Sequence, residues 1–337
     1  MIHDDTASGE GPTHTLSVVV PAYNEEVNID GAYERISSVL QTLGLRDWEL
    51  IFSVDPSTDD TEAKIAALNA RDGRVRLIRM SRRFGQPAAT IAGMQAAAGD
   101  AVVVIDCDLQ DPPEIIAEMV TRWREGYDVV YAQRRSREGE TLAKRIVSWV
   151  GYRIIRRIAE VDIPPNVGDF RLMSRRVVEN VVALDESHGF LRGLVGLVGF
   201  RQTAVMYDRD PRAAGSSKYN QVFGSLRIGL NGIIGFSRYP LQLISLAGIL
   251  FSAVAFFGAV VYGVLRAFGL GFPAGGTIII IVVFFPGVQL LSLGVMGEYI
   301  GRIYDEVKHR PKYIIESRLG FPVRTALDVA PNEPDRK

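Results

Sequence analysis

Two stretches near the C-terminal end constrain this chain more than any other feature. No charged residue occurs from Tyr239 to Leu265, and none from Ala267 to Gly297. A helix needs roughly 20 apolar residues to cross the hydrocarbon core of a bilayer, and each stretch exceeds that. Between them the run GLGFPAGG (269–276) carries turn-forming residues. The pattern predicts two transmembrane helices, about Tyr239–Arg266 and about Thr277–Ile300, joined by a short hairpin. The competing reading is a pair of buried core helices, although globular helices so long and so apolar are uncommon.

Basic residues set the expected orientation. Arg227 and Arg238 precede the first span, and Arg302, Lys308, Arg310 and Lys312 follow the second. The hairpin offers only Arg266. Positive flanks stay inside, so both ends and the long N-terminal domain are expected in the cytoplasm, at the inner membrane. Before the first span Val222, Phe223, Leu226, Leu230, Ile233 and Ile234 recur at helical spacing. They predict an amphipathic helix lying in the interface, or else one packed on its own domain.

The N-terminal two thirds read differently. Met1–Thr15 is polar, has no apolar run, and is expected to be disordered and not a signal peptide. Short apolar runs then alternate with helical patterns. Strands are expected at Leu16–Val20, Trp48–Val54, Val75–Met80, Ala101–Ile105 and Asp128–Tyr131. Helices are expected at Asn28–Leu43, Asp60–Asn69, Pro87–Ala98 and Glu114–Arg124. This alternation predicts an α/β domain on a mostly parallel sheet. The boundaries follow: a disordered 1–15, a catalytic domain 16–221, an interfacial helix 222–238, a transmembrane hairpin 239–300 and a cytoplasmic tail 301–337.

Composition narrows the function. The net charge of −1 gives no global field for nucleic acid, so any anion site must be a local cluster. The single cysteine, Cys107, rules out an internal disulfide, and the four scattered histidines lack the spacing of a helical zinc site. No dinucleotide-binding glycine fingerprint and no P-loop occurs.

Ligands of such sheets bind at the carboxyl ends of strands. The loop after the first strand is Pro21-Ala-Tyr-Asn-Glu-Glu26, whose ring and carboxylates can meet a base and a ribose, or form a plain turn. After the second strand Asp55 stands where an acidic residue could grip a nucleoside, while Ser57, Thr58 or Asp59 could cap the next helix. The strongest signal is Asp106-Cys-Asp-Leu-Gln-Asp-Pro-Pro-Glu114. If that segment is extended, Asp106, Asp108 and Gln110 share one face as hard oxygen ligands for Mg²⁺ or Mn²⁺. Arg134, Arg135, Arg137, Lys144 and Arg145 form a basic cluster, the last two on a helix expected at Thr141–Ile158. They could hold a phosphate or face solvent and lipid head groups. Gly168-Asp-Phe-Arg171, where Asp169 is expected to begin a short strand, and the Gly/Ser loop Arg212-Ala-Ala-Gly-Ser-Ser-Lys218 carry further charge.

Taken together these motifs resemble the family 2 glycosyltransferases that make polyprenyl-phosphate sugars, among them bacterial undecaprenyl-phosphate glucosyltransferases and dolichyl-phosphate mannose synthases. The resemblance runs from about Leu16 to Leu319. It is carried by Pro21–Glu26, Ser81-Arg-Arg-Phe-Gly85, Asp106–Glu114, Arg137-Glu-Gly-Glu140, Gly168-Asp-Phe-Arg-Leu172 and Gly297-Glu-Tyr-Ile-Gly-Arg302. It implies a GT-A fold, a divalent metal, inverting transfer and a homo-oligomer, a tetramer. By position it implies that Pro21, Tyr23, Glu25, Asp55 and Asp106 hold the nucleotide-sugar, and that Asp108 and Gln110 bind the metal. It places Asp106 and Asp169 in the catalytic centre and Arg134, Lys144, Arg212 and Lys218 at the acceptor phosphate. The expected reaction moves a hexose from UDP-glucose to a polyprenyl phosphate. GDP-mannose is the alternative donor, and a catalytically inactive membrane scaffold the alternative of another class. The chain departs from the family at Val54-Asp-Pro-Ser57, where Asp-Asp-Gly-Ser is usual, and the change falls on the nucleotide contact.

Overall fold

Parallel pairing begins at once, because the first apolar run is buried on both sides. The structure, a computed structural model, describes residues 14–135, 167–184, 191–209, 239–269 and 275–322. Residues 1–13 of the expected disordered start, the helix 141–158 with Lys144, the loop carrying Arg212 and Lys218, the interfacial helix 222–238, most of the hairpin turn and the last fifteen residues lie outside them; Thr15, expected to be disordered, instead opens the first strand, where it pairs with Asp47.

Strand β1 (Thr15–Ala22) lies between β2 (Asp47–Val54) and β4 (Ala101–Val104), parallel to both, and β3 (Val75–Met80) runs parallel to β2. A strand covered by helices on both faces must be apolar throughout rather than alternating, and Leu16, Val18, Val19 and Val20 have no exposed surface. Helices α1 (Ile29–Thr42), α2 (Thr61–Arg71), α3 (Gln86–Ala96) and α4 (Ile115–Arg124) make the crossovers, close to their expected bounds. Helix α3 has proline in its first turn and lies against β1 so closely that a Cβ on Gly93 would stand 2.3 Å from Val19 Cγ1.

Beyond β4 the sheet changes character. Strand β5 (Val129–Arg134) does not pair with β4; β6 (Val167–Ser174) comes between them, antiparallel to both. Helices α5 (Arg175–Ala183) and α6 (Leu191–Val198) follow, and β7 (Gln202–Tyr207) pairs parallel with β5. The full order is β7-β5-β6-β4-β1-β2-β3-β8.

Helix α7 (Tyr239–Ala267) is long and apolar enough to cross a membrane over Tyr239–Leu265, and none of that apolar window is buried. Ile249, Phe256 and Phe257 are 69%, 74% and 70% exposed. Within this chain α7 is therefore not a buried core helix, and it leaves a continuous apolar surface uncovered. Helix α8 (Gly275–Val307) runs two turns past its expected end at Ile300 and holds Pro286 in its interior. Phe251 of α7 meets Phe284 and Phe285 of α8 edge-on, with ring centroids 5.9 and 6.0 Å away.

The segment expected as a tail after residue 300 is therefore partly ordered. Besides the end of α8 it contains β8 (Ile315–Leu319), antiparallel to β3 at the edge of the sheet. The backbone N–H of Ser81 donates to Ile314 O at 2.9 Å. Arg79 meets Glu316 at 2.7 Å, and the Lys312 ammonium donates to Leu184 O at 2.6 Å.

Candidate active site

The strand ends of the parallel half carry the first group of predicted residues. Pro21 is buried within β1, and Tyr23 follows at its mouth, half-buried under the Arg83 guanidinium, 4.1 Å from the ring centroid. Asn24 takes the left-handed backbone, φ 53°, which Asn tolerates. Its amide oxygen accepts from Thr58 N at 2.8 Å, and its own N–H donates to Ser57 Oγ at 3.1 Å. Glu25 N donates to Thr61 Oγ1 at 2.8 Å, while the Glu25 carboxylate accepts from Asn28 Nδ2 at 2.6 Å. The loops after β1 and β2 are thus laced into one wall by bonds from backbone N–H groups to hydroxyls, an amide and the carboxylates of Glu26 and Asp59. Asp59 accepts from Thr61 N at 3.1 Å at the start of α2, so the capping role and the wall belong to the same turn.

Asp55 is almost fully buried, 2% exposed. Its two oxygens accept from Phe84 N at 3.0 Å and Gly85 N at 2.8 Å. It therefore ties the end of β2 to the loop after β3 and fixes Arg83 over Tyr23. The Gly85 backbone sits at φ +93°, a region only glycine enters freely.

In the middle of the strand ends lies a group of carboxylates. Asp106 follows β4, and the β4–β6 register, Val104 opposite Arg171, continues to set Asp106 beside Asp169. Gln86 Nε2 donates to Asp106 Oδ1 at 2.6 Å. Desolvation pushes the Asp106 carboxyl up to about 7, and the charges of Asp169, Asp111 and Asp108 push the same way. The expectation of an extended 106–110 is corrected here. The chain turns at Cys107–Asp108 because Leu109, at φ 55°, swings back to pack on α1 beside Gly31, and Gln110 N donates to Asp108 Oδ1 at 3.2 Å. Asp106 and Asp108 are brought together by that turn rather than by strand alternation.

This corner fits a divalent cation chemically, since several carboxylates repel one another around Asp106 with hard oxygen donors only. Among the described residues no three Asp, Glu, His or Cys side chains converge into a ready-made cage. An ion held here would need oxygens from a substrate.

The antiparallel half contributes cations. Asp111, 2% exposed, accepts on Oδ1 from the Tyr207 hydroxyl at 2.5 Å, and Arg134 Nη2 and Arg209 Nε each approach it at 3.5 Å. Arg134 Nε also donates to the Tyr207 hydroxyl at 3.0 Å. Burial opposes charge on Arg134, but Tyr207 and Asp111 hold its protonation above the ordinary arginine range. Burial and the Asp111 charge raise Tyr207, which stays a neutral donor.

Arg192 Nε donates to Asp169 Oδ1 at 2.9 Å. Arg171 is 3% exposed beneath them and donates through Nη2 to Gly168 O at 2.8 Å. Burial works against charge on Asp169, yet Arg192 and Arg171 hold its carboxyl below the usual range. Burial lowers Arg171 to about 10, still protonated at neutral pH.

Asp106, Asp108, Asp169 and Arg134 are thus brought near one another, while Tyr23 and Glu25 follow β1 and the buried Asp55 follows β2. Lys144, Arg212 and Lys218 lie outside the described residues. Sequence reasoning missed Gln86, Asp111, Arg192 and Tyr207. Asp111 stood inside the motif and could have been weighed; Arg192 and Tyr207 lie on elements that had not been anticipated.

The family described as glycosyl transferase family 2 matches residues 17–182. A Bacillus subtilis protein named uncharacterized glycosyltransferase YkcC is 46% identical over 306 residues, 90% of this chain and 94% of its own length. The Synechocystis glycosyltransferase sll0501 is 42% identical, covering 92% of this chain and 97% of that one. The bactoprenol glucosyl transferase of Shigella phage SfV is 40% identical, covering 90% and 98%.

Proposed function

Because the chain belongs to glycosyl transferase family 2, we propose that this glycosyltransferase moves a hexose from a nucleotide-sugar to a polyprenyl phosphate at the cytoplasmic face of a membrane. The observation that carries the acceptor is the exposed apolar helix Tyr239–Ala267, in one chain with a charged cleft. A long lipid can remain in the bilayer while its phosphate reaches the cleft. The name of the phage relative, a bactoprenol glucosyl transferase, supports the same carrier and favours glucose as the sugar; UDP-glucose is the donor in this reading.

In this reading the nucleoside rests against Tyr23 and Glu25, on the wall that Asp55 braces. Asp108, Gln110 and Asp106 would hold Mg²⁺ or Mn²⁺. A bound divalent ion neutralises the charge that grows on the leaving diphosphate. The acceptor phosphate monoester, whose second pKa is about 6, is largely ionised at neutral pH. No base must take a proton from it, unlike a hydroxyl acceptor. One phosphate oxygen attacks the anomeric carbon as the bond from that carbon to the diphosphate oxygen breaks. The products are an inverted glycosyl phosphodiester and a nucleoside diphosphate. The protein's work is alignment and charge neutralisation, which suits a cleft of carboxylates and arginines.

Helix α8 supplies a second span, so that α7 and α8 form a hairpin with both ends inside. A reporter after Lys337 should read cytoplasmic and one inserted near Gly271 external; an internal signal from Gly271 overturns the two-span topology.

The function is tested by incubating the purified full chain in detergent or liposomes with polyprenyl phosphate, Mn²⁺ or Mg²⁺ and a panel of nucleotide-sugars. Mass spectrometry should find a polyprenyl-phosphate hexose with UDP-glucose. Product with GDP-mannose alone changes the donor, and no product with any donor favours the inactive scaffold.

A further inference from the structure

The chain that leaves helix α8 returns to the ligand end of the sheet. Strand β8 is antiparallel to β3, and its first residue, Ile315, stands opposite Met80, the last residue of β3. The link from α8 therefore enters at the carboxyl ends of the parallel strands, where Tyr23, Asp55 and Asp106 follow β1, β2 and β4. Only residues 308–314 join α8 to β8. Even fully extended, the steps from Val307 to Ile315 cover at most about 29 Å.

This link is stiff at its near end and fastened at its far end. Helix α8 closes on His309 in left-handed backbone, φ 45°, and His309 N donates to Glu306 O at 3.1 Å. That turn stops the helix sharply. Pro311 follows; it locks its own φ and holds Arg310 extended. At the far end the half-buried Tyr313 donates its hydroxyl to Gln95 Oε1 on α3, and Ser81 N donates to Ile314 O at 2.9 Å. Tyr313 and Ile315 pack on the core between the sheet and helices α3 and α5. Ser81 opens the loop whose Phe84 N and Gly85 N are held by Asp55, and α3 begins with Gln86, the partner of Asp106. The link is thus fastened to the loop and the helix that build the donor side. Burial does not explain it, because Glu316, Ser317, Arg318 and Leu319 of β8 are all exposed and such a strand removes little apolar surface from water. What β8 supplies is a fixed point of attachment.

We propose that residues 308–315 form a strut that sets the height of the donor site over the bilayer, with Tyr313 as the positioning residue at its fastened end. The inference rests on the reading above, in which α7 and α8 span a membrane and the acceptor is a membrane lipid. A polyprenyl phosphate whose tail stays in the bilayer presents its phosphate only close to the surface, so the sugar must be held at a matching height. An acceptor free in water carries no such restriction, and that difference makes the strut visible.

The test uses the full chain in liposomes with saturating UDP-glucose and Mn²⁺ and compares two acceptors: a long-chain polyprenyl phosphate embedded in the bilayer and a short, water-soluble prenyl phosphate. Donor affinity is measured separately by calorimetry. A flexible glycine-serine insert of about four residues between His309 and Arg310 lengthens the strut and leaves both of its ends in place. It should lower kcat/KM for the embedded lipid by about tenfold, as the effective concentration of the phosphate at the site falls. The soluble acceptor and donor affinity should stay within about twofold. Tyr313→Ala loosens the fastening and should give the same pattern to a smaller extent, while Tyr313→Phe, which keeps the ring, should recover most of the loss. Thermal melts check folding, and the insert carries the test if Tyr313→Ala does not fold. Equal losses on both acceptors would make the segment merely structural and overturn the proposal. So would an insert that leaves the embedded lipid at the wild-type rate, or one that weakens donor binding. A wild type that glycosylates no embedded polyprenyl phosphate overturns the functional reading instead, and the strut with it.

Discussion

The two halves of the sheet are built by different forces. From β1 to β3 the strand-end loops are fixed largely by backbone N–H groups bonded to hydroxyls, an amide and carboxylates: Asn24 with Ser57 and Thr58, Glu25 N with Thr61, Asp55 with Phe84 N and Gly85 N. From β6 to β7 the corresponding side chains are fixed by ions: Asp111 with Arg134 and Arg209, Asp169 with Arg192. Hydrogen bonds to the backbone define a shape that persists without ligand. Ion pairs define a charge balance that an arriving phosphate can redistribute. The first half suits a nucleoside recognised by fit, and the second an anion recognised by charge. Asp106 sits on the border and feels both.

The border should be the most sensitive place. Asp108→Ala is expected to cut transfer by about a thousandfold, since metal stabilisation of a leaving group is worth several kcal/mol. EDTA should silence the wild type equally, and Mn²⁺ or Mg²⁺ should restore it; rates unaffected by EDTA would remove the metal from the scheme. Next comes Asp55→Ala. It strips acceptors from two backbone N–H groups and releases Arg83 from above Tyr23. Donor affinity should fall about ten- to a hundredfold, at roughly 1–3 kcal/mol for the bonds lost. Acceptor dependence should hold, and calorimetry beside turnover reads both. A loss on the acceptor instead would erase the distinction between the halves.

The same division explains what the sequence disclosed. The parallel half repeats a strand, a loop and a helix within a few tens of residues, so periodicity locates each element, and β3 occupies its expected residues. In the other half β6 inserts between β4 and β5 from beyond residue 166, and β8 returns from beyond the apolar helices. Such pairings are made by residues distant in sequence, and no local pattern records them. Among site residues, Asp106 and Asp108 were legible because one short motif holds them. The turn at Leu109 was not, because an aliphatic residue in left-handed backbone has no sequence signature. Arg192 becomes meaningful only when α6 is folded against the start of β6.

A control on packing gives a smaller effect. Gly93→Ala would place a methyl against the fully buried Val19 of β1. Overpacking of this kind costs about 1–3 kcal/mol, visible as a lower denaturation midpoint. Because α3 also carries Gln86 near Asp106, kcat should fall only if the helix shifts as a body. Unchanged stability would mean that α3 moves away from the sheet without penalty.

The smallest effect is expected from Tyr207→Phe, and it is the sharpest probe of the ionic half. The hydroxyl joins two charged partners: it accepts from Arg134 Nε and donates to Asp111 Oδ1. Phenylalanine fills the same volume, so no cavity opens. Asp111 keeps Arg134 and Arg209 nearby, each at 3.5 Å. The remaining charges can close around the gap, so the cost should lie near the low end for a bond to a charged group, about 1.5 kcal/mol. Arg134 should lose aim rather than charge. KM for polyprenyl phosphate should then rise a few-fold, with donor affinity and metal dependence unchanged. High salt should narrow the difference between variant and wild type, because screening weakens the contribution of the partly exposed arginines. A Tyr207→Phe enzyme that instead loses donor binding would show that the two halves are coupled through Asp106, and that the ionic half is part of the nucleotide's fit.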